Sequence, residues 1–547
     1  MIGLSQKWIG MTVAASLFLV SAVSVGAAPN PQAPQTGNFN YNITAEPATL
    51  HPIRGADHYA TLVHEFVCDY LLWRDANTYE WQPRIAEKWE VSKDKKTFTF
   101  YLNKNAQFHD GKPVTAEDVK FSFDAIFIPE YEAANLQPYY EGISKVEVVN
   151  EHTVKVTAKD NYFKNFDAFV GLTIIPKHIY SDVAKSKEMN KSLVCSGPYA
   201  LEKYSTGQSI VVKKVDNWYG YQYDYLKGSY NFKTITFRFY KDENIALERL
   251  KRGDIDYHWN MLPDSFGAKT QGDPWGKSVF AVAAENLGPK KLAWIGWNFK
   301  RPMFQSKNVR MALTYLSNRE EMNKKFNNSL QDIAAAPIYP GSPYYPVGLK
   351  PLPFSVEKAR ELLAKDGWKD LDKNGVLEKK IGGKTVELKF KLHYAAKDRQ
   401  KYWEFYQQDL KQAGIQMELA YLEWNSFTEL LRNGDFDAIA MTWAGGDLDP
   451  DPKQIWHSIS ARPGGSNFIS YKNPKVDSAI DKARFEFDRT KRIKLLQEAY
   501  KMIAEDYPYV FLFNTKYEFY GASNKVERLG GTFKYEVAPY YWYASSK

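Results

Sequence analysis

Cysteine is scarce in this sequence: Cys68 and Cys195 are the two cysteines among 547 residues. The chain can therefore hold at most one internal disulfide. Sequence spacing does not show whether two cysteines meet, so a bonded pair and two free thiols both stay open. Export to an oxidising compartment would permit the bonded pair.

Long apolar runs are absent after the first 28 residues, so we expect no membrane-spanning helix beyond that point. Residues 1–28 have the layout of a secretory signal, in which Lys7 supplies the charge, an apolar run follows, and small residues precede a cleavage site near Ala28. A membrane anchor is the alternative, but the polar, proline-rich segment that follows favours cleavage. No cysteine lies at the cleavage site, which argues against a lipid anchor. We predict an exported, periplasmic protein.

A charge excess of one sign is also missing. The formal net charge is +8, and basic residues are interspersed with acidic ones along the whole chain. No basic stripe of the kind that binds nucleic acid is evident, so we expect no nucleic-acid partner.

The common catalytic and nucleotide-binding motifs are absent as well. Residues 276–278 (GKS) and 383–385 (GKT) imitate the end of a P-loop, but Gln271 and Glu378 stand where its first glycine belongs. Neither H-E-x-x-H nor G-x-S-x-G occurs. We therefore predict no catalytic residues, no cofactor and no enzymatic activity.

One segment imitates a calcium-binding loop. Asp370, Asp372 and Asn374 have the spacing that opens an EF-hand, but Ile381 occupies the twelfth position, where a bidentate Glu is needed. A polar surface turn is the better interpretation, with a weak calcium site as the alternative, and we assign no metal site.

The composition is that of a globular protein, with 44% apolar and 25% charged residues. A chain of 547 residues exceeds one core of ordinary size, so two or more lobes are expected. Aromatic residues reach 15%, which is high. Large aromatic cores explain this, and so does a cavity whose walls accept varied side chains.

Residues 83–123 form the most informative stretch. Phe98, Phe100 and Leu102 alternate with polar or half-polar residues, which predicts a half-buried strand. A tight-turn Asp-Gly pair follows, and Thr115 with Asp118 predicts the capped start of a helix. The pattern of residues 83–123 alone therefore predicts a strand, a turn and a helix, which many α/β proteins contain.

The order and identity of these residues resemble the signature of the extracellular solute-binding proteins of peptide ABC importers. These form solute-binding family 5, which includes the dipeptide- and oligopeptide-binding proteins. The carrying motifs are WEVS at 89–92 and FHDGKPVTAEDVKFSF at 108–123. Shorter matches follow at 174–178 (IIPKH), 196–199 (SGPY) and 217–220 (NWYG). At 44–52 (TAEPATLHP), His51 stands where the family usually has Asp.

The resemblance implies an α/β, two-lobed periplasmic binding protein (type II, class C) with an extra subdomain in lobe I. It implies a signal peptide at 1–28, lobe I at 29–290 with a subdomain at about 60–190, lobe II at 291–507, and a return to lobe I at 508–547. Periodicity supports lobe II independently, because strands and helices alternate between 386 and 443. It also predicts a helix over 476–505 and a strand over 510–520.

The resemblance also implies a function: capture of short peptides between two closing lobes and delivery to an inner-membrane ABC permease, by a monomer. Another solute, such as an oligosaccharide, a metal chelate or haem, is the alternative within the same fold. A secreted hydrolase with an unrecognised site is a less favoured alternative of another class.

The family places an Asp that pairs with a peptide α-ammonium in a W-x-G-D-x-x-D-P context, which resembles residues 443–450 here. A buried ammonium needs a counter-charge, because its desolvation costs several kcal/mol. This chain has Gly446 at the register of that Asp, with the first carboxylate one residue later. Asp447 is therefore the leading candidate for the anchor and Asp449 the reserve, whereas by pattern alone a solvated acidic turn would be favoured.

Other candidates for ligand contact are weaker. A tryptophan is more often part of a core than of a binding site, and Trp443 is favoured among four because it precedes the carboxylates. The candidate cleft walls are Trp443, Trp259, Trp297 and Trp424, and the candidate polar contacts are Asn298, Asn467 and Arg462. For Arg462 a surface position is the more common outcome, and pairing with a ligand carboxylate is the alternative.

Overall fold

A computed structural model describes residues 22–23, 26–54, 58–133, 136–263, 265–462 and 465–546. Most of the predicted signal segment lies outside the described residues. Among the described residues, no helix combines the length and the apolar character needed to cross a membrane.

The strands, in chain order, are β1 (Ala22–Val23), β2 (Asn38–Asn42), β3 (Leu72–Arg74), β4 (Trp81–Pro83), β5 (Ala86–Val91), β6 (Thr97–Leu102), β7 (Ile143–Asn150), β8 (Thr153–Ala158), β9 (Tyr199–Ser205), β10 (Ser209–Lys214), β11 (Thr234–Arg238), β12 (Tyr257–His258), β13 (Val279–Ala284), β14 (Leu292–Trp297), β15 (Gln331–Ile333), β16 (Glu378–Ile381), β17 (Lys384–Glu387), β18 (Lys389–Tyr394), β19 (Gln416–Tyr421), β20 (Ala438–Trp443), β21 (Tyr509–Thr515), β22 (Glu518–Ser523), β23 (Val526–Glu527) and β24 (Tyr543–Ala544).

The α-helices are α1 (His58–Val67), α2 (Ala116–Ala125), α3 (Gln137–Tyr140), α4 (Lys164–Val170), α5 (Lys177–Tyr180), α6 (Val183–Glu188), α7 (Glu243–Arg252), α8 (Lys307–Tyr315), α9 (Arg319–Asn327), α10 (Val356–Lys365), α11 (Gln400–Gln412), α12 (Trp424–Asn433), α13 (Lys453–Trp456), α14 (Pro474–Arg484) and α15 (Arg489–Asp506).

Three sheets organise these elements. Lobe I holds an eight-stranded sheet in the order β1-β13-β22-β12-β2-β11-β10-β9. Lobe II holds a six-stranded sheet in the order β15-β21-β14-β20-β18-β19. A separate four-stranded sheet has the order β5-β6-β8-β7 and lies within the residues where a subdomain of lobe I is predicted. The predicted α/β class is confirmed.

The stretch at 83–123 folds as its pattern predicts. In β6 the side chains of Phe98, Phe100 and Leu102 are buried, while the alternate ones are half-exposed. At the start of α2, Oδ2 of Asp118 accepts hydrogen bonds from the Thr115 backbone N–H (2.9 Å) and hydroxyl (2.7 Å). This capping interaction satisfies a backbone donor at the start of the helix.

The lobe II sheet is covered by helices on both faces, so its central strands are buried on both sides. In β14, Trp294 belongs to the apolar cluster that α12, α14 and α15 cover, and Trp297 belongs to the cluster beneath α8, α10 and α11. A strand between two helical layers has no solvent-facing side. This arrangement decides the positions of several predicted site residues.

The chain crosses between the two large sheets twice. The first crossing, at 285–291, joins β13 to β14, and the second, at 516–517, joins β21 to β22. The prediction that lobe II ends at 507 is therefore corrected, because β21 pairs with β14 in the lobe II sheet. The first crossing is tied to the start of β22, just after the second crossing, because Asn286 Nδ2 donates to Glu518 Oε1 at 2.6 Å.

The two cysteines are bonded in the structure. Cys68, just after α1, pairs with Cys195, ahead of β9, with a Cα–Cα distance of 4.8 Å. The bond joins segments 127 residues apart in the chain. It fastens α1, which borders the site described below, to the region that leads into the lobe I sheet.

The segment that imitates a calcium loop forms a hydrogen-bonded turn. Asp370 Oδ2 accepts from the backbone N–H of Gly375 at 3.1 Å, and Glu378 Oε2 accepts from that of Leu371 at 2.8 Å. Both carboxylates hold the turn together, and carboxylate oxygens of Asp370, Asp372 and Glu378 lie within 4.8 Å of one another, so the polar turn and the weak calcium site both stay predictions.

Candidate functional site

A cavity of about 370 Å³ lies between the two lobes. Lobe I supplies most of its lining through α1, the β3–β4 hairpin and the C-terminal segment, while Leu448 comes from the loop after β20 in lobe II and Pro289 from the first crossing. The lining residues are Glu65, Tyr70, Leu72, Trp73, Arg74, Asp75, Ala76, Tyr79, Trp81, Gly171, Pro289, Leu448, Tyr535 and Glu536. Its volume falls in the range typical of small-ligand sites. We call it the interlobe cavity.

Aromatic rings dominate one wall of the interlobe cavity. The guanidinium of Arg74 stacks 3.7 Å from the ring centre of Trp81 and 4.4 Å from that of Tyr79. Tyr79 also meets Tyr535 edge to face, with ring centres 5.5 Å apart. These contacts fix flat apolar surfaces of the kind that accept varied side chains.

Trp73 is held from behind by a buried ion pair. The fully buried Arg84 lies 4.7 Å from the Trp73 ring centre and 3.5 Å from an Asp69 carboxylate oxygen. Asp69 also accepts hydrogen bonds from Trp218 Nε1 and from the Tyr219 hydroxyl. Burial raises the pKa of Asp69, and Arg84 and these donors oppose that shift.

Asp447 lies beside the cavity and is already paired. Its Oδ2 is 2.6 Å from Lys164 Nζ, on α4 of lobe I, and its Oδ1 accepts from the Tyr79 hydroxyl at 2.9 Å. Burial acts to raise the pKa of Asp447, but Lys164 and the hydrogen bonds outweigh it, so the pKa lies below the ordinary value. Tyr79 reaches this position from a left-handed backbone conformation (φ 61°) that non-glycine residues rarely adopt.

Asp449 faces into lobe II. It is 6% exposed, and its Oδ1 accepts from the Tyr344 hydroxyl and from Arg489 Nε, each at 2.8 Å. Arg492 lies 3.6 Å from its other oxygen. Its carboxylate is therefore committed to partners within lobe II, and its role as the reserve anchor stays a prediction.

A second contact between the lobes lies close to the first. The Tyr162 hydroxyl donates to Asp451 Oδ2 at 2.5 Å, and Arg484 Nε donates to the same oxygen at 2.8 Å. We refer to the Lys164–Asp447 and Tyr162–Asp451 pairs together as the interlobe latch. Both join the segment around the start of α4 to the loop after β20.

Trp443 is half-buried at the end of β20. Its ring stacks between Trp294, at 5.4 Å, and Phe468, at 5.7 Å. Trp259, just after β12, is likewise half-buried and packs against the lobe I core. Neither lines the interlobe cavity.

Three predicted contacts belong to the interior of lobe II and are corrected. Trp297 is 0% exposed and packs on Phe304 and Phe390. Asn298 uses its amide to bind the backbone carbonyls of 434 and 436. Asn467 bonds the backbone N–H and carbonyl of Tyr471, which closes a turn. The sequence pattern resembles a cleft border, but two helical layers and local turns occupy these groups.

The remaining two candidates are placed as follows. Arg462 is exposed, in a loop after the short helical turn at 458–460. Trp424 opens α12, and its side chain lies outside the described residues.

Sequence reasoning missed the residues that line the interlobe cavity. The signal that could have found them is the run WRDANTYEW at 73–81, where aromatic residues crowd around charged ones between two short strands. Glu65, on α1, and Glu536, near the C-terminus, carry no such local signal, because only the fold brings them together.

The sequence profile of the bacterial extracellular solute-binding proteins, family 5 (Middle), matches residues 80–465, which is more than half of the chain. The chain belongs to this family. Oligopeptide-binding protein AppA of Bacillus subtilis is 29% identical over 490 residues, covering 88% of this chain and 86% of AppA.

Solved structures place this family member in the same fold. The structure of B. subtilis AppA in complex with a nonapeptide covers 94% of this chain and 100% of that chain, with a TM-score of 0.74 and 25% identity. The structure of NikZ from Campylobacter jejuni in complex with Ni(L-His) has a TM-score of 0.73 and covers 92% of this chain and 99% of that chain, at 22% identity. The predicted two-lobed binding-protein fold is confirmed.

Proposed function

We propose that this protein captures short peptides between its two lobes in the periplasm and delivers them to an ABC permease in the inner membrane. The observation that carries the proposal is the interlobe cavity, which lies between the lobes of a family 5 solute-binding protein. AppA, which resembles this chain over most of its length, binds a nonapeptide in its solved structure.

The architecture supports capture by closure. The lobes are joined by two adjacent crossings, at 285–291 and 516–517, which is the arrangement of a hinge. The interlobe latch lies on the cavity side, where it stabilises the closed form. The aromatic wall provides apolar surface for the side chains of a peptide. Water in the cavity can make hydrogen bonds that adapt to different peptides. The N–H and C=O groups of the peptide main chain can pair with the protein as those of an added β-strand do.

Asp447 stays our candidate for the partner of a ligand α-ammonium, with Trp443 behind it. In this structure Asp447 already has the ammonium of Lys164 as its counter-ion. A ligand amine at this position therefore takes the place of Lys164, so binding and the latch compete for one carboxylate. Arg462 and Trp259 are kept as more distant candidates, at the surface and beside the lobe I core.

We also propose that the chain acts as a monomer, has no reaction of its own, and is processed near Ala28. Cleavage there removes β1, which adds two residues to the edge of the eight-stranded sheet beside β13. The mature sheet then has seven strands.

The proposal is tested by purifying the protein, denaturing it and identifying any released ligand by mass spectrometry. We expect a mixture of short peptides in stoichiometric amount. Recovery of a metal chelate, haem or oligosaccharide instead would reject peptide capture while keeping the fold. Incubation with the released peptides should return them intact, and cleavage products would reveal a hydrolase.

A further inference from the structure

The charges that line the interlobe cavity are unbalanced. Three carboxylates (Glu65, Asp75 and Glu536) face one guanidinium, that of Arg74. Arg74 is already paired with Asp167, 3.1 Å away on α4. The lining therefore holds more acidic than basic side chains, and no described basic side chain of the lining pairs with Glu65 or Glu536.

The three carboxylates differ in how they are engaged. Asp75 is used by its own turn, where its Oδ1 accepts from the backbone N–H groups of Asn77 and Thr78. Glu536 accepts one hydrogen bond, from the Tyr540 hydroxyl at 2.6 Å. Glu65 makes no hydrogen bond or ion pair with any described residue, and its exposed surface faces the cavity.

Two further features make this position negative. Glu65 lies in the last turn of α1, where the helix dipole is itself negative. Tyr70, Trp73 and Tyr79 also line the cavity, and aromatic rings attract cations through their faces. An anionic ligand group gains no electrostatic attraction from either feature, and a neutral group gains less than a cation does.

We propose that Glu65 and Glu536 together bind a cationic group of the ligand inside the interlobe cavity. This deepens the proposed function, on which it rests, by naming a class of ligand: one with a basic side chain or an ammonium. The pair is separate from Asp447, whose counter-ion is Lys164.

The acid–base behaviour of the pair agrees with this role. Part of the Glu65 side chain is exposed to the cavity, but the protein packed around it, together with the charge of Glu536, raises its pKa to about 8. Burial raises the pKa of Glu536 to about 7, with Glu518 and Asp75 adding to the shift and Tyr540 opposing it. The other titratable groups facing Glu65 are Tyr41 and Tyr70, whose pKa values it helps to raise. An incoming cation favours the ionised carboxylates, so its binding at neutral pH releases protons.

Calorimetry with three tripeptides tests the inference: Ala-Lys-Ala, Ala-norleucine-Ala, which lacks the side-chain charge, and N-acetyl-Ala-Lys-Ala, which lacks the α-ammonium. We expect one of the two neutralised peptides to bind about tenfold or more weakly than Ala-Lys-Ala, and which one does so identifies the group bound. Glu65→Gln and Glu536→Gln should each remove most of the difference in affinity between Ala-Lys-Ala and the weaker peptide. Each should also remove most of the proton release on binding, which is measured by calorimetry in two buffers. Glu90→Gln, at an exposed carboxylate on β5, is the matched control.

n-Butylammonium and n-butanol, titrated separately, distinguish failure of this inference from failure of the proposed function. If no peptide binds but n-butylammonium does, and Glu65→Gln abolishes it, the cation site stands and peptide capture falls. If peptides bind with no dependence on charge or on either carboxylate, peptide capture stands and the inference is overturned. If neither peptides nor n-butylammonium bind better than n-butanol, both the proposed peptide capture and the proposed cation site are rejected. Thermal unfolding checks that the Gln variants are folded. We expect them to be, because Gln has nearly the size of Glu and, like a carboxyl group with a raised pKa, is uncharged.

Discussion

Lys164 Nζ lies 2.6 Å from Asp447 Oδ2, and this pair joins α4 of lobe I to the loop after β20 in lobe II. Lys164 is largely buried, with a side chain 14% exposed, while that of Asp447 is 45% exposed. Because Asp447 also accepts from Tyr79 in the cavity wall, the contact links lobe closure to the site where we place the ligand.

Replacement of Lys164 by Met should shift the empty protein towards an open form. The lost pair contributes about 1 kcal/mol, since one partner is half-exposed. We expect a larger radius of gyration by small-angle X-ray scattering without ligand. Lys177→Met, which removes an exposed pair with Glu117 within the subdomain, is the control. An unchanged radius of gyration in Lys164→Met would show that the latch does not hold the lobes.

The same variant tests Asp447 as an amine anchor. Freed from Lys164, Asp447 should bind the α-ammonium of a peptide such as tri-alanine more tightly, and Asp447→Asn should weaken it by about tenfold. Calorimetry with free and N-acetylated tri-alanine measures both. Equal affinities of the two peptides for wild type and Asp447→Asn would exclude the anchor role.

Arg84→Met should destabilise the protein strongly. It leaves the buried Asp69 carboxylate without its cation, and breaking a buried pair costs about 3–5 kcal/mol of unfolding free energy. It also removes the support behind Trp73, so peptide affinity should fall in parallel. Urea unfolding measures the change in unfolding free energy. Arg360→Met, an exposed position on α10, is the control, and a loss below about 1 kcal/mol at Arg84 would contradict the interpretation.

The Cys68–Cys195 bond should contribute substantially to stability. It closes a long loop in the unfolded chain, because its two cysteines are separated by 127 positions in the sequence. Removing such a bond costs about 2–5 kcal/mol. We expect the double Cys→Ala variant to unfold at lower temperature and to match the reduced wild-type protein. A melting temperature equal to that of the oxidised wild type would show that the bond is dispensable.

Local patterns predicted elements well where one face is solvated. The strand β6 and the cap of α2 follow directly from alternation and from Thr115 and Asp118. Predictions failed where short irregular joints interrupt a pattern. The helix expected over 476–505 is two helices, because Asp488 caps a new start by accepting from Lys491 N–H. The strand expected over 510–520 is β21 and β22, which belong to different lobes.

The site was harder to predict than the fold, for a related reason. The family pattern pointed to the loop after β20 as the place of the anchor, and in the structure Asp447 lies there, hydrogen-bonded to Tyr79 of the cavity wall. It could not show that Lys164, nearly three hundred residues earlier, neutralises this carboxylate. Trp297 was expected as a candidate cleft wall, yet helices cover both faces of β14. Pairings between distant segments are set by the tertiary fold, and local sequence carries no record of them.

His51 should make stability depend on pH. The side chain is 0% exposed, and its Nε2 lies 2.6 Å from the Ser186 hydroxyl oxygen. Burial, together with the nearby charges of Arg54 and His64, lowers its pKa from 6.5 to about 4. At pH values between about 4 and 6.5, His51 therefore binds a proton in the unfolded chain but not in the folded protein.

The contribution of His51 is therefore fully present above pH 6.5 and is lost as the pH falls towards 4. The loss approaches about 3 kcal/mol, at 1.4 kcal/mol per unit of pKa shift. Urea unfolding of wild type and His51→Gln between pH 7.5 and 4.5 isolates it, because both variants share every other titrating group and Gln can still bond Ser186. The wild type should lose more stability than His51→Gln over this range. Parallel losses would mean that His51 titrates in the folded protein as it does in the unfolded chain.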